Sequence, residues 1–317
     1  MSGCVGHVRT SAVWVEIPSD APVRAVAESL YVHGVIDSTS EFERLAIINR
    51  RYLDIRPGFY LLRKGTSAWQ VLTMLRGGME PATKVVVRER MTLSEAAAVV
   101  EQATGIPQDS FVEAASDPFL RISLGAHAET VEGYLYPTVY YVPLSIPPAL
   151  LVRQMTDSFV AHWNPAWDAR LDSLGLTRDQ AVNLASIIAG EMPHPDDLGR
   201  IAAVYRNRLA LGMPLQADPT VVYALGQRRR LTFADYRIQS SYNTYKIQGL
   251  PPGPIGEPSV VSLGAALYPS DSQDLFFVGR FDGRHEFSRT YQEHLQTIAR
   301  LRGKKTTVRH AVAAMAD

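Results

Sequence analysis

The 317-residue chain has a single cysteine, Cys4. No internal disulfide can form, so the fold must rest on its core alone. The chain also lacks any run of about 20 apolar residues, the length a helix needs to span a bilayer. Residues 1–13 show neither the basic start nor the apolar stretch of a secretory signal. Neither sign of charge is in excess: 32 Lys and Arg balance 32 Asp and Glu. That balance argues against a dedicated nucleic-acid binder, which carries a basic surplus.

What is present is an ordinary globular composition. Apolar residues make up 46% and charged residues 20%, enough to bury a sizeable core. The length suits two or three domains. Met1-Ser2-Gly3-Cys4 can be read in two ways. It is either the tail of a lipoprotein signal, with small residues before a lipidated cysteine, or an ordinary terminus.

The pattern predicts an α+β fold: a small α+β N-terminal module followed by a mostly helical domain with short strands. In residues 14–80, Trp14–Ile17 reads as a strand. A helix capped by Ser19 or Asp20 follows through Val23, Val26, Ala27 and Leu30. Ser40 to Arg51 is a second helix, Phe59–Leu62 a strand, and a third helix runs from Thr66-Ser67 to Leu75. Residues 81–145 form a connecting α+β region that contributes to a cleft. It opens with the strand Lys84–Arg88 and the helix Leu93–Gln102, capped by a Thr92/Glu95 box. The shared order of strand, turn and helix is either a diverged repeat or coincidence. A helical domain over 146–302 starts at Pro147-Pro148 and includes strands near 275–278 and 286–288. A tail, 303–317, closes the chain.

One residue is oddly placed. Thr177, with Gln180 in a capping box, opens a helix that runs to Glu191, and Pro193 ends it. Glu191 follows Ile188, Ile187 and Leu184 by three, four and seven residues, so it shares their apolar face. Burial favours the neutral carboxyl, and the negative end of the helix dipole pushes the same way. A proton held near neutral pH is what a general acid needs. The bland alternative is a solvated glutamate or one paired with Arg200 or Arg206.

Other segments change that balance: Glu132-Gly133-Tyr134-Leu135-Tyr136-Pro137, Leu184–Glu191, Tyr205–Val221, Tyr242–Tyr245 followed by Gly249–Ile255, and Phe277-Val278 with Gly283-x-His285-x-Phe287-Ser288. In this order they resemble the endolytic murein transglycosylase family (MltG or YceG-like), from about Trp14 to Leu301. The resemblance implies a lyase that cuts peptidoglycan glycan strands internally at the outer face of the bacterial inner membrane. It implies a LysM-like peptidoglycan-binding module at 14–80; no cofactor, metal or nucleic acid is expected. It also implies association with glycan-polymerising synthases. The family's catalytic glutamate matches Glu191. An earlier glutamate of that motif is Ala189 here, so any role for that acid is absent or moved. The family's membrane anchor would have to be an upstream helix or a lipid on Cys4.

The expected chemistry uses one carboxyl. Glu191 protonates the β-1,4 oxygen between N-acetylmuramic acid and N-acetylglucosamine, then takes the proton of the muramic C6 hydroxyl, giving a 1,6-anhydro end. Gln216, Asn243 and Thr244 are expected to hydrogen-bond the sugars. Tyr242, Tyr245 and Tyr134 are expected to stack on them, and Pro251 and Pro252 to wall the site. Asn207 and His285 are further candidates for substrate contact. Asp218 reads as a turn residue or a second acid, and Glu132 as a catalytic partner or a structural acceptor. A hydrolytic muramidase would use one of those two acids, and a non-catalytic wall-binding scaffold would use neither. A penicillin-binding enzyme is excluded because no lysine has Ser three residues before it. A zincin is excluded because the spacing after His285-Glu286 fails at Arg289.

Overall fold

The computed structural model describes residues 12–48, 54–78, 82–191, 194–280 and 282–313. Cys4, Pro193 and the expected end of the second helix at Arg51 lie outside them. The chain divides into two compact units. One takes the residues up to Val86 with 99–107 and 139–147, and the other takes 87–98, 108–138 and the rest.

The first unit is built on an antiparallel sheet of four strands in the order β1-β2-β3-β4. These are β1 (Ala12–Ile17), β2 (Gly58–Arg63), β3 (Ala82–Val86) and β4 (Val139–Pro143). Alternation of side chains gives the sheet two faces. Val15, Ile17, Tyr60 and Leu62 pack on α1 (Val23–Val32), α2 (Thr39–Ile48) and α3 (Ala68–Thr73) through Val26, Leu30, Phe42 and Leu72. On the opposite face Trp14 stacks on Tyr141 at 4.5 Å, and Phe59 touches Tyr141 at 4.9 Å. The strand β4 lies in an aromatic stretch with Tyr136, Tyr140 and Tyr141, where the sequence pattern predicts no strand. Its proline-rich flanks hid it, and its partner β3 lies more than fifty residues earlier.

The second unit is α+β with helices dominant. Its N-terminal part supplies α5 (Gln108–Ala115), α6 (Pro118–Leu124) and the first turns of α4 (Leu93–Thr104). Next come α7 (Pro148–His162), α8 (Ala166–Leu174), α9 (Arg178–Gly190), α10 (Leu198–Ala210), α11 (Asp218–Leu225) and α12 (Val260–Leu267). The short strands β5 (Phe276–Gly279) and β6 (His285–Ser288) pair antiparallel. The last helix, α13, runs from Tyr291 to Ala313. Residues 303–313 of the segment read as a tail therefore continue that helix.

The helix α9 is the spine of this unit. Both predicted capping bonds between Thr177 and Gln180 are present. Every residue from Ala181 to Ala189 is buried, with α8, α10, α11 and α12 packed around it. A helix apolar on all sides belongs in a core, and its two polar members hold a loop in place. Asn183 Nδ2 donates to the Pro251 carbonyl at 2.8 Å, and Ser186 Oγ accepts the Ile255 N–H at 3.0 Å. The loop 249–255 thus runs along α9 toward its C-terminus. Gly133 meets this loop from the other side. It holds φ +88°, and a Cβ there would stand 2.6 Å from Pro254 and 2.9 Å from Val182.

Gly133→Ala combines a left-handed backbone with an overpacked contact. It should lower stability by about 2–4 kcal/mol, measured by urea denaturation. A loss below about 0.5 kcal/mol would show that the loop is not held this tightly.

Candidate active site

Glu191 caps the C-terminus of α9, its N–H reaching the Ile188 carbonyl at 3.2 Å. Its side chain meets α10, where the Tyr205 hydroxyl donates to Oε1 at 2.5 Å. Tyr205 is itself 1% exposed and lies edge-on to Phe277 at 5.7 Å. Burial pushes the Glu191 carboxyl up to about 7. The Tyr205 hydrogen bond opposes that rise, the charge on Asp218 adds to it, and the Arg208 guanidinium lowers it. Burial, followed by the neighbouring Glu191 charge, drives Tyr205 well above the usual phenol range. Tyr205 therefore stays a phenol and a donor. The expected raised acid is present, but its burial does not come from one apolar face. Residues Ala181 to Ala189 are enclosed on all sides, and Tyr205 of α10 and Pro219 of α11 approach the helix end.

Neither Arg200 nor Arg206 is the cation that acts on Glu191. Arg200 pairs with Asp274 at 2.6 Å. Arg208 fills that place, although sequence reading passed over it. It is 7% exposed, and it donates from Nε to the Leu275 carbonyl at 2.7 Å and from Nη1 to the Leu215 carbonyl at 2.7 Å. Its neighbour Asn207 donates to the carbonyls of Ser272 and Asp274 at 2.8 and 3.0 Å. Asn207 is thus a staple for the 272–275 segment, not the free sugar donor expected of it.

Around this pair the 216–218 turn and the 243–245 loop lock together. Gln216 is exposed at φ +52°, a left-handed conformation costly for a residue with a Cβ. Its N–H donates to the Thr244 carbonyl at 3.0 Å, and the Ala217 N–H donates to Thr244 Oγ1 at 2.9 Å. Thr220 completes the lock at 2.8 Å from Thr244 Oγ1. The Gln216 side chain is exposed, with its Oε1 accepting from Arg208 Nη1 at 3.5 Å. Asp218, in the first turn of α11, accepts from Tyr245 at 2.6 Å and from Tyr236 at 3.3 Å. Both phenols are raised first by burial and then by Asp218, and Glu191 adds to each.

Two expected sugar donors are structural instead. Thr244 and Asn243 are both fully buried. Asn243 Nδ2 donates to the Ile238 and Tyr236 carbonyls, and its Oδ1 accepts the Tyr245 N–H. Loop residues with small polar side chains satisfy their own backbone first, which the sequence alone does not separate from ligand binding. Tyr134 is likewise enclosed, its hydroxyl on Asp179 at 3.0 Å and its ring against Phe159. It offers no face to a sugar. His285 is held by Asp197 through its backbone N–H at 2.7 Å and Nδ1 at 3.1 Å. Pro251 is buried and Pro252 exposed on the loop along α9.

A second group of acids lies apart from Glu191's contacts. Glu132 is buried, accepting the Leu93 N–H at 3.0 Å and the Tyr223 hydroxyl at 2.6 Å, and Tyr242 packs on Tyr223 at 4.7 Å. Its carboxyl is pushed up to about 7, chiefly by burial. Glu257, fully buried, takes the Leu135 N–H at 2.9 Å, and its Oε1 meets no partner. Burial and then the Glu132 charge raise it well above an ordinary carboxyl. Glu132 thus fits its structural reading as a backbone acceptor. Among the described residues no three of His, Cys, Asp and Glu come together as metal ligands.

Comparison with known proteins adds to this geometry. The sequence profile of the YceG-like family matches residues 15–300. A Bacillus subtilis protein named endolytic murein transglycosylase is 30% identical over 90% of this chain and 83% of its own length. A Streptococcus pneumoniae protein of the same name is 28% identical over 90% of this chain, which spans 58% of that longer relative. A crystal structure of a YceG-like protein from Listeria monocytogenes superposes with a TM-score of 0.63 at 28% identity. It covers 91% of this chain and 99% of that one.

Glu257, like Glu132 and Glu191, holds its proton in the fold at a pH where an unfolded glutamate, near 4.5, has lost it. The native state then binds more protons than the unfolded one, so stability falls as pH rises above 4.5. Glu257→Gln keeps the shape and removes one such proton. The urea midpoint of the parent should fall between about pH 5 and pH 8, and that of Glu257→Gln should fall less. Parallel curves would show that this carboxyl is not held neutral.

Proposed function

The chain belongs to the YceG-like family, and from that premise we propose that it is an endolytic lytic transglycosylase of peptidoglycan with Glu191 as its acid and base. The observation that carries this reading is the Tyr205-bound carboxyl of Glu191, raised to about 7 by burial. At neutral pH such an acid is close to half protonated, so it can give a proton to the bridging oxygen and accept one back. The homologues' name, endolytic murein transglycosylase, supplies the substrate class.

The phenol of Tyr205 donates to Oε1, so the acidic proton of Glu191 resides on Oε2. That oxygen delivers the proton to the bond between N-acetylmuramic acid and N-acetylglucosamine as it breaks. The resulting carboxylate then removes the proton from the muramic C6 hydroxyl as that oxygen closes on C1, leaving a 1,6-anhydro end. A nucleophile within the same sugar needs no second carboxylate to activate water, and its tether supplies the entropic advantage of an intramolecular attack. Gln216 and Tyr245, beside Asp218, are the groups that hold the sugar at this point. In the first unit, Trp14 of the LysM-like module at 14–80 stacks on Tyr141 of β4, and the pair offers flat surfaces for the same polymer. An upstream segment or a lipid on Cys4 would keep the enzyme at the outer face of the inner membrane.

A hydrolytic muramidase is the second reading, favoured by the charge of Asp218 acting on Glu191. Mass spectrometry of digested glycan strands separates the two. Anhydro ends are expected, and reducing ends would overturn the proposed mechanism. Glu191→Gln should lower turnover by roughly 100- to 10,000-fold. The rate should fall as pH rises through about 7, where the acid loses its proton. Tyr205→Phe removes a bond that favours the carboxylate, so this limb should move to higher pH. An unchanged limb would show that the phenol does not act on the acid.

A further inference from the structure

A second feature of α9 is unused by the chemistry above. Asn183, two turns before Glu191, is 3% exposed, and its Oδ1 is buried without any hydrogen-bond partner. Its amide is not free to turn over. Nδ2 donates to the Pro251 carbonyl at 2.8 Å, and a reversed amide would set oxygen against oxygen. The two loop residues at its contact, Pro251 and Pro252, have no N–H to offer it. Buried polar groups are almost always paired, so an acceptor fixed in this way points to a donor that arrives from outside.

The residue lines a groove of about 400 Å³ whose other walls include the apolar Leu176, Leu209, Leu250 and Pro251 and the polar Asp179 and Gln180. An acceptor beside leucines and prolines, with a carboxylate and an amide in the same lining, fits a sugar that carries one particular substituent. An acetamido substituent carries an N–H for the Asn183 oxygen and a methyl for the leucines. The groove lies on the same helix that carries Glu191 at its C-terminus. Asn183 precedes Glu191 by eight residues, about 12 Å at the helical rise. The loop that walls the groove runs the same way, ending where Ile255 bonds Ser186 and approaches Gly190.

We propose that the groove formed by α9, Leu209 and the 249–252 loop is a subsite for the acetamido group of a sugar distant from the cleaved bond. This rests on the transglycosylase reading, which makes the ligand a glycan strand. A polymer engaged here and at Glu191 together is held at two points, which suits cutting within a strand.

The test uses the full chain carrying Glu191→Gln, so that binding is read without turnover. The probe is a β-1,4-linked N-acetylglucosamine oligomer, titrated by calorimetry. Leu250→Ser or Asn183→Leu, added to that chain, should each weaken binding about tenfold, the scale of one pocket contact. Leu250 is partly exposed, so its variant decides the matter if Asn183→Leu does not fold. Unchanged affinity in the folded variants overturns the subsite, as does failure of the Glu191→Gln chain to bind the oligomer. The catalytic reading is judged separately by the ends the unaltered chain produces. Reducing ends with intact, Leu250-dependent binding would sink the mechanism and support the subsite.

Discussion

The enclosure of α9 is the constraint on which the candidate site depends. A helix buried from Ala181 to Ala189 brings Glu191, at its C-terminus, to a half-buried position against Tyr205. At that point Glu191 finds one neutral donor, Tyr205, instead of a salt-bridge partner. The cation that acts on Glu191, Arg208, gives its hydrogen bonds to the backbone carbonyls of Leu215 and Leu275. A carboxyl so placed keeps its proton to about pH 7. Had Arg208 bonded it directly, the carboxylate would have been favoured, and the same sequence position would hold a structural ion pair.

The side chains that recognition motifs contribute divide into two kinds. Asn243, Thr244, Thr220 and Asn207 are spent inside the protein, fixing irregular loops that lack the regular bonding of helix or sheet. Gln216, Tyr245 and Asp218 are what those loops present. The strained backbone of Gln216 is the visible consequence: the Thr244 bonds hold the turn in a conformation that a free chain would leave. The cluster of Glu132, Glu257 and Tyr223 serves another end. It ties the start of α4 and the 133–135 segment together with acids kept largely neutral by burial.

Much of this was legible in the sequence, for reasons that vary by element. The capping boxes at Thr92 and Thr177 are local, so short motifs disclosed both helix starts. Glu191 was legible because an acid beside Leu184, Ile187 and Ile188 breaks the polar–apolar pattern. The strand β4 was not, since its pairing with β3 is set by residues far away in the chain. The same limit explains Tyr205 and Arg208. Their role is fixed by how α10 crosses α9, and no spacing within one helix reports on that. It also explains why Tyr134, an aromatic in a sugar-enzyme motif, turned out to be a core residue anchored on Asp179.

The central claim concerns one proton, and it can be read directly. Carbon-13 NMR of the Glu191 side-chain carboxyl, assigned by comparison with Glu191→Gln, follows its titration without reference to any substrate. A midpoint near pH 7 is expected. A midpoint near 4.5, the value of a free glutamate, would mean that the carboxyl is solvated and ionised at neutral pH. The acid required to open the glycosidic bond would then have to be found elsewhere.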